Sequence, residues 1–230
     1  MKKTILTLLL LIVLAGLAGA QTCDQFINST NGKKLVYGNL DAKGNEQGKA
    51  TYTSVKKDGS TISIHSDVVD KNGKPVGSGD FDITCNGESI NIDMKSFVPQ
   101  NSARQFNNME MQVDTKYLIY PLGLKAGDKL QDGSVIITIN RNGSKFGEIH
   151  MDITNRNVEQ KETVTTVAGD FDCFKISYDI HVENKIMGIG IPINMKTTEW
   201  FSQKLGRFVK SETYNKNGKL VATTVLEAIN

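Results

Sequence analysis

Between its turn signals the chain alternates apolar and polar positions with a period of two. Thr61-Ile62-Ser63-Ile64-His65 alternates, and so does Ile149-His150-Met151-Asp152-Ile153. Phe174, Ile176, Tyr178, Ile180 and Val182 form one apolar row, with Lys175, Ser177, Asp179, His181 and Glu183 between them. Successive side chains of a strand point to opposite faces, so these runs predict strands with one buried face. They end at Asp41-Ala-Lys-Gly44, Lys57-Asp58-Gly59, Asp70-Lys-Asn-Gly73, Cys85-Asn86-Gly87, Asp132-Gly133, Asn142-Gly143, Ala168-Gly169-Asp170 and Asn215-Lys-Asn-Gly218. Tight hairpins demand residues that tolerate positive φ, and these supply them. The pattern gives about eleven strands. It predicts an all-β fold, an antiparallel meander forming a barrel or strongly curved sheet. One stretch departs from period two: residues 97–108 fit a short helix carrying Phe97, Ala103 and Phe106 on one side, placed to plug or cover an open barrel end. Tyr120 to Asp128 reads as an ordered loop.

The N-terminus changes the picture of where this fold works. Met1-Lys2-Lys3 precedes an apolar run from Ile5 to Leu14, and Ala18-Gly19-Ala20 follows. A basic start, a short apolar core and small residues at the cleavage positions predict a signal peptide over residues 1–20, cut after Ala20. Residues 21–230 are then a single β-barrel-like domain, exported to the periplasm or beyond. The apolar core is too short for a comfortable membrane span. Lipid anchoring at Cys23 is disfavoured, because Ala20, Gln21 and Thr22 do not fit a lipoprotein signal.

Lys2 and Lys3 account for the whole excess of 27 basic over 25 acidic residues. The mature chain is therefore formally neutral, which argues against nucleic-acid partners, since these need a cationic surface. An oxidising compartment makes the 3 cysteines an odd set. Cys23 and Cys85 lie near segment ends and are expected to form a disulfide, leaving Cys173 as a packed thiol in mid-strand.

The candidate chemistry is sparse. Glu148, His150 and Asp152 form one row at two-residue spacing, and Asp179, His181 and Glu183 form another. Two such rows on paired strands could hold a divalent metal for a metal-dependent enzyme or binder. A solvated strand face produces the same pattern, and metal ligands usually converge from several elements. No G-x-S-x-G nucleophile turn occurs. The Gly-x-Gly at Gly188-Ile189-Gly190 sits among apolar residues and is no nucleotide fingerprint. No cofactor is expected.

Apolar surface is the richer signal. Ile186-Met-Gly-Ile-Gly-Ile-Pro-Ile193 is the most apolar part of the mature chain, and such a stretch is costly to expose. Methionine adapts to variable partners, so Phe97, Phe106, Met109, Met187, Ile189, Ile191, Met195 and Trp200 are candidate ligand-binding residues. The expected function is non-enzymatic: binding of an apolar, lipid-like small molecule or of a segment of an envelope protein. Core filling explains the same methionines, and a purely scaffolding domain remains a further reading.

Several segments carry a family resemblance. Glu162-Thr-Val-Thr-Thr-Val-Ala-Gly-Asp-Phe-Asp-Cys-Phe-Lys-Ile-Ser-Tyr178, Glu199-Trp-Phe-Ser and Gly206-Arg-Phe-Val-Lys-Ser-Glu212 resemble the TapB-like group of secreted Bacteroidota proteins. That group is related to a larger family of bacterial envelope proteins built on a domain of unknown function. Cys23, Asp70-Lys-Asn-Gly-Lys74, Ile92-Asp-Met-Lys-Ser-Phe97 and Tyr120-Pro121 extend the likeness over nearly the whole mature chain. Val167 stands where that pattern has a proline. The resemblance implies an exported all-β domain and brings no activity or catalytic residue with it.

Overall fold

The computed structural model describes residues 23–97, 110–186 and 189–230. A short helix, α1 (Cys23–Thr30), leads into a meander of β1 (Lys34–Asp41), β2 (Glu46–Lys56), β3 (Thr61–Asp70), β4 (Pro75–Cys85) and β5 (Ser89–Asp93). A 3-10 turn at Met94–Phe97 follows, then β6 (Glu110–Thr115) and β7 (Tyr117–Pro121). A second meander comprises β8 (Gly133–Arg141), β9 (Ser144–Thr166), β10 (Gly169–Ile186), β11 (Ile189–Ser202), β12 (Arg207–Asn215) and β13 (Leu220–Ile229).

The hairpins form where side chains substitute for backbone partners. Asp41 Oδ1 accepts from the amides of Lys43 and Asn45, while Gly44 takes φ +83°. Asp70 does the same for Asn72 and Lys74 beside Gly73, and Asn215 for Asn217 and Lys219 beside Gly218. An acceptor at the first position and a residue free to adopt positive φ at the fourth thus set three reversals by one device.

The strands form one 13-stranded sheet in the order β6-β8-β9-β10-β11-β12-β13-β1-β2-β3-β4-β5-β7, every pair antiparallel. The two edge strands are consecutive in the chain. Residues 110–121 pair first with β8 and then, beyond Lys116, with β5, so the sheet is nearly closed into a barrel. Strands as short as β5, β6 and β7 (5 or 6 residues) show too little alternation to be read, and thirteen strands stand where the pattern gave about eleven. The helix expected over 97–108 falls, past Phe97, outside the described residues. The helix that is described, α1, was not foreseen.

Inward residues of both meanders and of β7, among them Ile62, Ile64, Phe81, Ile83, Ile90, Leu118, Val135, Ile137, Ile153 and Ile176, build the main core. Phe26 and Ile27 of α1 are fully buried within it, so the helix plugs one end. A disulfide joins Cys23 to Cys85 with the Cα atoms 5.5 Å apart, and Ser29 Oγ donates to Lys204 O at 2.8 Å. A smaller core gathers Leu35, Tyr37, Cys173, Val209 and Leu226. Cys173 is completely buried there, and burial, more than the nearby Asp172 and Glu162, pushes its thiol up to about 12.

Gly206 sits in the turn between β11 and β12 at φ +61°, and a Cβ there would collide with the Phe26 ring. Gly206→Ala combines left-handed strain with an overpacked plug. It is expected to lower stability by about 2–4 kcal/mol. Urea denaturation checks this, and an unchanged midpoint would show that α1 yields freely.

Candidate functional site

Two features stand apart from ordinary packing: an open cleft beside the plugged end and a set of charges inside the barrel.

The cleft has a volume of about 750 Å³. Its apolar wall consists of Phe171 and Phe174 from β10, Leu205 from the β11–β12 turn and Ile229 from the end of β13. Lys33, just past α1, Lys161 on β9 and Lys204 in the same turn as Leu205 bring three exposed ammonium-bearing chains to it. Lys161 is the cross-strand partner of Phe174, and its Nζ lies 5.7 Å from that ring's centroid. Asp170 and Asp172 also line the cleft, each held by the threonine directly across the ladder. Thr165 Oγ1 donates to Asp170 Oδ1 at 2.6 Å and Thr163 Oγ1 to Asp172 Oδ1 at 3.2 Å. Among the described residues no carboxylate lies within 4.0 Å of the three lysine ammoniums, whereas Lys49, Lys57, Lys145, Lys175, Lys185 and Lys210 all have such partners.

Inside the barrel, Glu199 on β11 is buried with 1% exposure. Tyr120 Oη donates to its Oε1 at 2.8 Å and Tyr178 Oη to its Oε2 at 3.2 Å. Burial raises the Glu199 carboxyl above its usual range, and this outweighs the opposing pull of Arg156, the two hydroxyls and Arg207. Burial likewise raises both tyrosines. Arg156 on β9 donates from Nη1 to Gln131 O (2.7 Å) and Ile119 O (3.2 Å), and its guanidinium carbon sits 4.6 Å from the Tyr120 ring centroid. Arg207 on β12 stacks on Tyr52 at 3.9 Å, with Phe81 at 5.3 Å. Such aromatic faces attract a desolvated guanidinium, which explains how two arginines are tolerated there. Tyr120 also stacks on Phe201, centroids 4.0 Å apart. Glu199, Arg156, Tyr120 and Phe201 are each about 1% exposed, and Tyr178 and Arg207 6%, so the cluster organises the interior.

Of the expected ligand-binding residues, those whose side chains are described are spread along β11. Phe106, Met109 and Met187 lie outside the described residues, as do the side chains of Phe97 and Ile189. Ile191 is 68% exposed and pairs with Asn184 near the β10–β11 tip. Met195 faces Ile180 across the ladder, half-buried. Trp200 lies further along β11, where its Nε1 donates to Glu162 Oε1 at 2.6 Å and Lys210 Nζ sits 4.6 Å from the ring. None of Ile191, Met195 and Trp200 lines the cleft.

The two histidine rows do lie on paired strands: His150 opposes Glu183, and Asp152 opposes His181. Each group is nevertheless engaged separately. Glu148 pairs with Lys145 at 2.5 Å, Glu183 with Lys185 at 2.9 Å and His150 Nε2 with Asp152 at 3.1 Å. His181 Nδ1 meets Asn194 Oδ1 at 2.7 Å, and Asn155 Nδ2 donates to Asp179 at 2.8 Å. Among the described residues no three His, Cys, Asp or Glu side chains converge as a metal site.

Sequence reading passed over Lys33, Lys161 and Lys204, because their convergence depends on tertiary neighbours. For Glu199 a signal did exist: it is the charged member of the row Met195, Thr197, Glu199, Phe201.

Solved structures share this architecture. A protein from Parabacteroides distasonis ATCC 8503, provisionally designated a lipoprotein, is 26% identical, with 91% of this chain and 100% of that one covered at a TM-score of 0.71. A protein from Bacteroides fragilis NCTC 9343, provisionally designated exported and described as having a YmcC-like fold, is 22% identical. It covers 87% of this chain and 96% of its own at a TM-score of 0.68, and it speaks to the fold alone. No curated protein sequence matches. The profile of the DUF3108-like family matches residues 30–226, nearly the whole sheet together with most of the cleft, and the chain belongs to that family.

Proposed function

We propose that this protein is an exported, non-catalytic envelope protein that carries a lipid-like ligand in the cleft beside α1. The observation that carries the reading is the cleft itself: about 750 Å³ with an apolar wall of Phe171, Phe174, Leu205 and Ile229 under a polar rim. That volume falls within the roughly 300–1,000 Å³ of small-molecule sites, which are mostly apolar with a few placed polar groups. Export is supported by the leader-like residues 1–20 and by the designations of the two structural neighbours. On this reading residues 21–230 form one mature unit. Its narrower place is in the TapB-like group, on the segments around Glu162–Tyr178 and Gly206–Glu212.

Native mass spectrometry of the mature protein, exported to an oxidising compartment and purified without detergent, tests the reading. A reproducible added mass of lipid size is expected, and Phe171→Asp should abolish it while leaving the fold intact by circular dichroism. A bare mass, together with no saturable uptake of a fluorescent fatty acid, would overturn it.

One observation favours a second reading. Ile191 and Ile193 are 68% and 44% exposed at the far end of β11, and this apolar surface suits contact with a segment of another envelope protein. Ile191→Lys should leave ligand carriage untouched while weakening cross-linking to such a partner.

A further inference from the structure

We infer that the ligand of the cleft is a single-chain amphiphile with an anionic head, a carboxylate or a phosphate monoester, held at the rim by Lys33, Lys161 and Lys204. The inference rests on the reading of the cleft as a ligand seat, and it adds the chemical class.

Three separate parts of the chain deliver these lysines to one opening: the exit of α1, the β9 ladder and the β11–β12 turn. What sets them apart from the other lysines without an acid partner, among the described residues, is that all three line one opening with an apolar wall. Asp170 and Asp172 share the same opening, yet each is turned to the threonine across from it, and neither is within 4.0 Å of a lysine. Three ammonium groups against two carboxylates leave the opening with one net positive charge, and beside an apolar wall this complements a ligand that is charged at one end and greasy along its length. Lys161 shows the arrangement within one residue pair, its ammonium 5.7 Å over the ring of its cross-strand partner Phe174. A neutral ligand would leave all three charges unused, and a cationic one would be repelled. Because the lysines are exposed, salt should screen their attraction.

Isothermal titration of the delipidated protein with oleate, lysophosphatidate, the uncharged glycerol monoester of oleate and an alkyltrimethylammonium of matched length decides the matter. At low salt the two anions should bind roughly tenfold or more tightly than the neutral ester, the margin that unneutralised surface charges can add. The cation should bind worst. At 1 M salt, where the Debye length falls to about 3 Å, the margin should shrink toward unity. The triple variant Lys33→Gln, Lys161→Gln, Lys204→Gln, with its melting temperature unchanged, should lose the preference for anions but keep its affinity for the neutral ester. Whichever anion binds tighter identifies the head group. Equal affinity for anionic and neutral ligands, or a preference that survives in the triple variant, overturns the inference alone. Binding of none of the four overturns the cleft reading as well.

Discussion

Replacing Glu199 with alanine is expected to destabilise the protein by about 3–5 kcal/mol, the largest loss from any single polar side chain in the barrel. The carboxylate is the acceptor for two buried phenol hydroxyls, those of Tyr120 and Tyr178. Without it both donors stay desolvated and unmatched, at about 1–3 kcal/mol each. A void in place of the side chain adds to the cost. Glu199→Gln keeps the volume and one acceptor, so it should lose less. The pH dependence supplies a second readout. Burial holds the Glu199 carboxyl above the usual carboxylate range in the folded state. A group whose folded pKa is raised contributes stability that is fully present below the unfolded value and lost as pH rises through the folded one. The advantage of the wild-type protein over Glu199→Gln should therefore be greatest below pH 4.5 and diminish on the way to neutrality. Urea denaturation of both proteins across this range checks the sign, and an advantage that grew with pH would show that Arg156 and Arg207 dominate over burial.

Loss of the Cys23–Cys85 disulfide should cost nearly as much. The two residues are 62 apart in sequence, and restraining a loop of that length in the unfolded chain corresponds to about 4 kcal/mol by the chain-entropy relation. The bond also ties the plug to the rim of the sheet, adding to the burial of Phe26 and Ile27 and to the Ser29–Lys204 hydrogen bond that seat α1. Cys23→Ser with Cys85→Ser should shift the denaturation midpoint accordingly while preserving native circular dichroism. A change below 1 kcal/mol would mean that the plug is held by packing alone. Thiol counting gives an independent check: Cys173 is buried and its thiol is raised to about 12. Native protein should therefore show no fast-reacting thiol, and unfolded oxidised protein should show a single one.

What the sequence revealed and what it concealed divide along a physical line. Hairpins at Asp41–Gly44, Asp70–Gly73 and Asn215–Gly218 were legible because each turn is decided by an acceptor and a glycine within four residues. The all-β class followed from alternation on the strands between them. Alternation assigns faces but not neighbours, so the cleft was invisible: its lining comes from residues 29–33, 161–174, 202–205 and 229. Along β11 the faces did follow alternation: Thr197, Glu199 and Phe201 are buried, and Trp200 between the last two turns to Glu162 and Lys210. The histidine rows were correctly placed on polar strand faces. Lys145 and Lys185, on the same strands as Glu148 and Glu183, and Asn194 on the neighbouring strand beside His181 engage these groups singly.

The pairing of β1 with β13 sets the order in which the molecule can be completed. The first and last of the described strands lie side by side in the middle of the sheet, paired from Leu35 opposite Ile229 to Asp41 opposite Ala222 with a bulge after Val36, and Lys34 and Asn230 exchange backbone hydrogen bonds at its end. Each meander can grow locally, strand upon strand, but they join there only when the final ten residues are in hand. A chain emerging N-terminus first must keep that edge of β1 unpaired until β13 has been made. Until then such a polypeptide stays unfinished, and so threadable. That delay suits passage through a narrow translocation channel, and it makes the C-terminal strand the latch of the fold.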